Sequence, residues 1–263
     1  MGDRCRLHLD AVVRKVPLAV LAASFALALP GTASAGQLFG PFGHGPAAVW
    51  LVLPRRPARR VVIFLHGWKI APPSPSYPWV GQFRPWLDHL AGEGNAVLFP
   101  AYQTGEDGQG PARVTSLRQG LELGFAHLGA RRRLPVVAAG YSYGASLAFS
   151  YASNARFWHL PQPKAVDAVF PAGPIPGSPL PTLAPAIQVL IQVGDRDDVA
   201  GRGGADAFWS WLAQRRGGRQ RLVVVSSHPG FVADHAAPKL STTAARAAFW
   251  SPLDALVERA AAS

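Results

Sequence analysis

Apolar runs of strand length alternate along this chain with longer segments of helical periodicity, and no other feature restricts its fold as much. AAVWLVLP (47–54), RVVIFLHG (60–67), NAVLFPAY (95–102), LPVVAAG (134–140), AVDAVFPAG (165–173), AIQVLIQVG (186–194) and RLVVVSS (221–227) each read as one strand. Helical spacing falls near 80–91, 112–129, 205–215 and 243–262, with Pro252 expected to kink or restart the last helix. Strands that are apolar on both faces belong in a mostly parallel sheet with helices packed on each side. The proline-rich stretch GPIPGSPLPTLAP (173–185) is too short and too broken for a helical lid. There is no internal repeat and no compositional boundary, so residues 36–263 are expected to form a single α/β domain. At 263 residues and 49% hydrophobic, the chain can fill one sizeable core.

The first 35 residues stand apart from this pattern. Arg4, Arg6, Arg14 and Lys15 precede the apolar run PLAVLAASFALAL, which ends in PGTASA. That is the layout of a secretory leader cleaved after Ala35, and the run is shorter than the roughly 20 residues of a membrane span. A secreted or periplasmic mature chain is therefore expected. Its single cysteine, Cys5, lies in the leader, so neither a disulfide nor a thiolate site is expected after processing.

The formal net charge is +11, and the excess is arginine in clusters at strand starts: Arg55, Arg56, Arg59 and Arg60; Arg131 to Arg133; Arg215, Arg216, Arg219 and Arg221. No recognition motif or aromatic-basic array accompanies them, which argues against nucleic acid and leaves loose attraction to anionic envelope surfaces.

Chemistry concentrates where the strand LPVVAAG meets Tyr141-Ser142-Tyr143-Gly144 and a helix begins. Gly140, Ser142 and Gly144 make a GxSxG pattern. A serine in a tight strand-to-helix turn needs small neighbours on both sides, and such a turn exposes Ser142 Oγ at the C-terminal edge of the sheet. The competing structural reading is that the glycines permit close packing and the serine caps the helix. A nucleophilic hydroxyl also needs a base and a group to orient it. The strand 186–194 is followed by Asp195, Asp197 and Asp198, and the strand 221–227 by His228 and His235.

Strand, GxSxG turn, helix, acidic loop and histidine loop in that order resemble the α/β-hydrolase superfamily across residues 47–262. The resemblance implies an α/β-hydrolase fold, a mostly parallel central sheet flanked by helices with a minimal lid, and a serine hydrolase with Ser142 as nucleophile. The acid usually stands three residues after the glycine that ends its strand, which selects Asp197, with Asp198 in reserve. VADHAAP resembles the histidine loop of small bacterial hydrolases and favours His235, while His228 stays a candidate. The oxyanion donors implied are the main-chain amides of Tyr143 and, from Leu65-His66-Gly67-Trp68, of Trp68. His66 is then a loop organiser.

Tyr141, Tyr143, Trp68, Tyr77, Trp79 and Tyr102 crowd this edge and suggest an apolar pocket, with Tyr141 packed under the turn. The expected substrate is a small-molecule or lipid-like ester in an open cleft, the expected state a monomer. His44, His89, His127 and His159 lack metal-ligand spacing, and no phosphate-binding glycine loop occurs; Gly105 to Gly110 reads as a surface loop. No cofactor or metal is implied. Acyl transfer, amide or peptide hydrolysis, and a non-catalytic envelope-binding protein remain the competing functions.

Overall fold

The computed structural model describes residues 36–68, 78–103, 110–215 and 217–262. The expected leader (1–35), Tyr77 and most of the 105–110 loop lie outside them.

Eight strands form one sheet: β1 Gln37–Phe42, β2 Val49–Leu53, β3 Arg60–Leu65, β4 Asn95–Pro100, β5 Val136–Tyr141, β6 Ala165–Val169, β7 Gln188–Gly194 and β8 Gln220–Val225. Their order is β1-β2-β4-β3-β5-β6-β7-β8. β2 runs antiparallel to both neighbours and every pairing from β4 to β8 is parallel. The 47–54 and 60–67 strands are thus successive in sequence but separated in space by β4.

β1 was not visible in the sequence. Gln37–Phe42 contains Gly40 and Pro41 and five of its six residues are exposed, so it has neither the apolar run of a central strand nor the alternation of a half-buried one. Proline is tolerated there because β1 is an edge strand.

Five principal helices cover the sheet: α1 Pro78–Gly92, α2 Pro111–Leu128, α3 Tyr143–Asn154, α4 Gly203–Leu212 and, at the C-terminus, a run begun by the short α5 Thr243–Ala245. A π-helical turn, Arg246–Trp250, follows α5 and leads into α6 Ser251–Ala261. Pro252 occupies the first turn of α6, where a missing N–H is harmless, so the helix restarts as expected. On one face Trp86 of α1 stacks on Trp250 at 5.5 Å. On the other, Phe149 of α3 stacks on Phe208 of α4 at 4.2 Å. Between the layers, β4 to β7 are almost wholly buried and Phe64 of β3 packs against Phe83, Trp86 and Phe99. Residues 170–187 contain no helix, which fits a minimal lid. Among the described residues, no helix is long and apolar enough to cross a membrane.

One buried polar cluster interrupts this core. Asp167, in the middle of β6, has no exposed surface and accepts from Gln192 Nε2 on β7 at 3.0 and 3.2 Å. The same amide lies 3.4 Å from Phe249 O in the π-helical turn. Asp254 sits near enough to disfavour a second charge and is itself held by His89 Nε2 at 2.8 Å. Burial, reinforced by Asp254, pushes the Asp167 carboxyl up to about 7.

A carboxyl whose pKa is raised by folding binds its proton more tightly in the native state. Its contribution to stability is therefore complete below about pH 4 and is lost as pH rises through about 7. Asp167→Asn keeps the acceptor for Gln192 and removes the titration. Thermal melts between pH 4 and 8 should show the variant gaining on the wild type as pH rises, with the difference largest at pH 8.

Candidate active site

Ser142 joins β5 to α3 with φ 56° and ψ −124°, a conformation that costs a side-chain-bearing residue about 1–3 kcal/mol. Its N–H donates to Val169 O at the end of β6, at 2.8 Å, which ties the turn to the neighbouring strand. The flanking glycines are sterically required. A Cβ on Gly140 would lie 2.2 Å from Gly144 O, and one on Gly144 would lie 2.2 Å from His66 O and 2.3 Å from Leu65 O. β3, β5 and α3 therefore meet backbone to backbone at this point. Ser142 itself is half-buried at the C-terminal edge of the sheet.

The acidic loop leaves β7 and turns so that Asp197 faces inward with a fully buried side chain. Its Oδ1 accepts from Val199 N at 2.9 Å and Ala200 N at 3.1 Å. His235 Nδ1 lies 3.0 and 3.1 Å from the two carboxylate oxygens, and the imidazole is 16% exposed. A buried carboxylate facing Nδ1 favours the tautomer with its proton there and leaves Nε2 as the basic nitrogen.

The imidazole also rests against the elbow. Its centroid lies 4.9 Å from the ring of Tyr141, the residue before Ser142, and 5.5 Å from Phe170. Tyr141 O–H donates to the main-chain oxygen of His235, and burial, with Asp197 and Asp234 nearby, raises its pKa. Tyr141 thus packs under the turn, as its position suggested, and also fixes the histidine loop.

The other candidates fall elsewhere. Asp198 is exposed. Asp195 is exposed too and accepts from Ser227 N at 2.9 Å and Ser227 Oγ at 2.5 Å, contacts that lower its pKa. His228 is exposed in a tight turn closed by reciprocal backbone bonds with Phe231, its Nδ1 3.1 Å from Pro229 O. The acidic and histidine loops are held together by these Asp195–Ser227 bonds and by a close approach at Gly194, where a Cβ would lie 1.9 Å from Ala233 O.

The loop after β3 passes beside the serine. A Cβ on Gly67 would lie 3.0 Å from Tyr141 Cε1 and 3.2 Å from Ser142 Cβ, so the loop runs close beside the serine and the absence of a side chain at residue 67 eases the approach. His66 is fully buried with Nδ1 2.7 Å from Gly67 O and Nε2 2.8 Å from Ala101 O, which ties the ends of β3 and β4 together. Tyr102 stacks on it at 4.3 Å and donates its hydroxyl hydrogen to His66 O. Trp68 follows, 47% exposed. Tyr143 opens α3, so its amide is one of the first-turn N–H groups that have no partner within the helix. Trp79 is buried against His66 at 4.4 Å and so belongs to the core.

One residue of this neighbourhood was not singled out in the sequence. The Arg113 guanidinium lies 5.1 Å from the centroid of Trp68 and 5.0 Å from that of Tyr143. A faint signal exists: it is a cation in the first turn of a helix, where the macrodipole opposes it. Among the described residues no group of three His, Cys, Asp or Glu could hold a metal ion.

Comparison with known proteins agrees with this architecture. No protein-family model matches the chain. No curated protein matches it either. Solved structures do. A truncated carbohydrate esterase from gut microbiota superposes with a TM-score of 0.65 at 12% identity, covering 89% of this chain and 99% of the other. Esterase B from Lactobacillus rhamnosis gives 0.63 at 14%, covering 85% and 86%. An α/β hydrolase from a Medee basin deep-sea metagenome library gives 0.63 at 13%, covering 88% and 100%. The chain has the α/β-hydrolase fold.

The close approach at the elbow is open to test. Gly144→Ala forces backbone atoms of β3 and α3 apart and should lower the melting temperature by several degrees. Gly81→Ala, in α1 with open space around the new methyl, should raise it slightly. Similar melting temperatures for the two variants would contradict the packing described.

Proposed function

We propose that this protein is a serine hydrolase that cleaves carboxylic esters through an acyl-enzyme. The observation that carries the reading is the buried Asp197–His235 pair resting against the strained turn that presents Ser142. A weakly acidic hydroxyl needs a base whose imidazolium is stabilised as it forms, and a fully buried carboxylate on Nδ1 supplies that stabilisation.

In the proposed cycle Ser142 Oγ attacks the ester carbonyl carbon while His235 Nε2 takes the hydroxyl proton. The main-chain amides of Trp68 and Tyr143 receive the oxyanion, a contribution worth roughly 100- to 1000-fold in rate per donor. Collapse of the tetrahedral intermediate breaks the bond to the alcohol, which leaves with the proton returned by His235. Water then enters, gives a proton to His235 and attacks the acyl carbon; a second collapse releases the acid and restores Ser142. Asp197 holds the imidazole ring through Nδ1 in every step.

Several of the structural neighbours are esterases, including one from Pyrobaculum calidifontis at 18% identity, and this favours ester over amide substrates. The minimal lid supports an open cleft for small-molecule or lipid-like esters. With the leader of residues 1–35 removed, the enzyme works as a secreted or periplasmic monomer, loosely drawn to anionic envelope surfaces by its arginines.

A fluorophosphonate probe should label the wild type and fail on Ser142→Ala. Hydrolysis of short 4-nitrophenyl esters should fall about 10⁴-fold in Asp197→Asn, which disturbs the tautomer and orientation of the ring, and at least as far in His235→Ala. His228→Ala and Asp198→Asn should stay within about threefold of wild type. Loss of turnover in His228→Ala with activity kept in His235→Ala would overturn the assignment of the base.

A further inference from the structure

Arg113 is only 2% exposed, yet its charge is not neutralised by any carboxylate among the described residues. It occupies the first turn of α2. The guanidinium carbon lies over the ring of Trp68 at 5.1 Å and over that of Tyr143 at 5.0 Å, so aromatic faces hold it in place. These two residues are also the ones whose main-chain amides form the oxyanion site proposed above.

The edge of the guanidinium is different from its faces. Nε and Nη2 are both buried and neither has a hydrogen-bond partner. They are the two nitrogens whose N–H bonds run parallel on one side of the group, the arrangement that grips two oxygens of a carboxylate or phosphate at once. A buried charge with unpaired donors is strongly unfavourable, more than a neutral orphan group, and the penalty is lifted when an anion completes it. Burial raises the neighbouring Tyr143 hydroxyl while the guanidinium draws it back, so this charge is felt on the residue next to the serine.

Resting on the hydrolase reading, we propose that Arg113 is a substrate-binding residue that holds an oxyanion carried by the ester, so that the preferred substrate is an acidic ester rather than a neutral one. The group it recognises is a carboxylate or a phosphate, bound edge-on by Nε–H and Nη2–H beside the oxyanion site. An uncharged ester reaches the serine but leaves the fork empty.

Binding tests this without turnover. Dicarboxylates from succinate to suberate, and the corresponding diamides, are titrated into the wild type, Arg113→Lys and Arg113→Met by calorimetry and by tryptophan fluorescence, which Trp68 makes sensitive. At least one dicarboxylate should bind tenfold or more tightly than its diamide. Arg113→Met should abolish that preference, and Arg113→Lys should keep part of it, since a point charge lacks the fork. Equal binding of acid and amide to the wild type, or a preference that persists in Arg113→Met, overturns the proposal. Near-ultraviolet circular dichroism of the variants establishes that they are folded.

Turnover then separates the sources. 4-Nitrophenyl esters ending in a carboxylate, a phosphate monoester or a primary amide should rank with one of the two anions first by at least tenfold in kcat/KM. That selectivity ratio should collapse in Arg113→Met, whereas a residue that only supports Trp68 and Tyr143 would lower all three alike. Failure of every ester, together with absent fluorophosphonate labelling, counts against the hydrolase reading, while the binding series still decides Arg113.

Discussion

The structure depends on backbone segments approaching more closely than a β-carbon allows. At the elbow, Gly140 and Gly144 let β3, β5 and α3 touch main chain to main chain, and the positive φ of Ser142 is held by its N–H on Val169 O. The same device recurs at Gly194, which brings the acidic loop against Ala233 in the histidine loop. Two separate contacts thus place three side chains that are far apart in sequence. Neither contact tolerates a Cβ, so the positions of Ser142, Asp197 and His235 are consequences of packing more than of the local loops' own preferences.

Electrostatics at the site follow from burial. The Asp197 carboxylate is faced by two backbone amides and an imidazole. Asp167, equally buried, has only one amide nitrogen and a nearby like charge, and its pKa rises. Arg113 is the counterpart among cations: its faces are covered by aromatics and its edge is unanswered.

The sequence disclosed the parallel strands because burial on both faces leaves continuous apolar runs such as Val136 to Tyr141, and the serine turn because glycine spacing reports steric need. β1 escaped notice because an exposed edge strand with Gly40 and Pro41 carries no such pattern. The choice between His228 and His235 was not decidable from residues alone, since both follow the same strand and only the three-dimensional path of the loop separates them. The resemblance of VADHAAP to a known loop favoured the imidazole that lies on Asp197. Arg113 was invisible for a related reason: a lone arginine on a helix usually means solvent, and its aromatic neighbours come from elements distant in the chain.

The arginine clusters show the same limit from the other side. Residues 55, 56, 59 and 131–133 are exposed, as strand-start loops should be. Arg215 is not a free surface charge: its Nη2 donates to Ala184, Pro185 and Ile187 carbonyls at 2.8, 3.3 and 3.2 Å, and burial lowers its pKa. That nitrogen anchors the end of the proline-rich connection before β7, while the start of the same connection is set by Pro176, whose oxygen would lie 2.3 Å from a Cβ on Gly110. Gly110 precedes α2, the helix that carries Arg113. The segment where a lid would stand is therefore fastened at both ends, and one fastening sits three residues before Arg113, whose guanidinium lies over Trp68 and Tyr143. The path of the connection is thus set by backbone contacts at its two ends, not by packing of its own side chains into a helix.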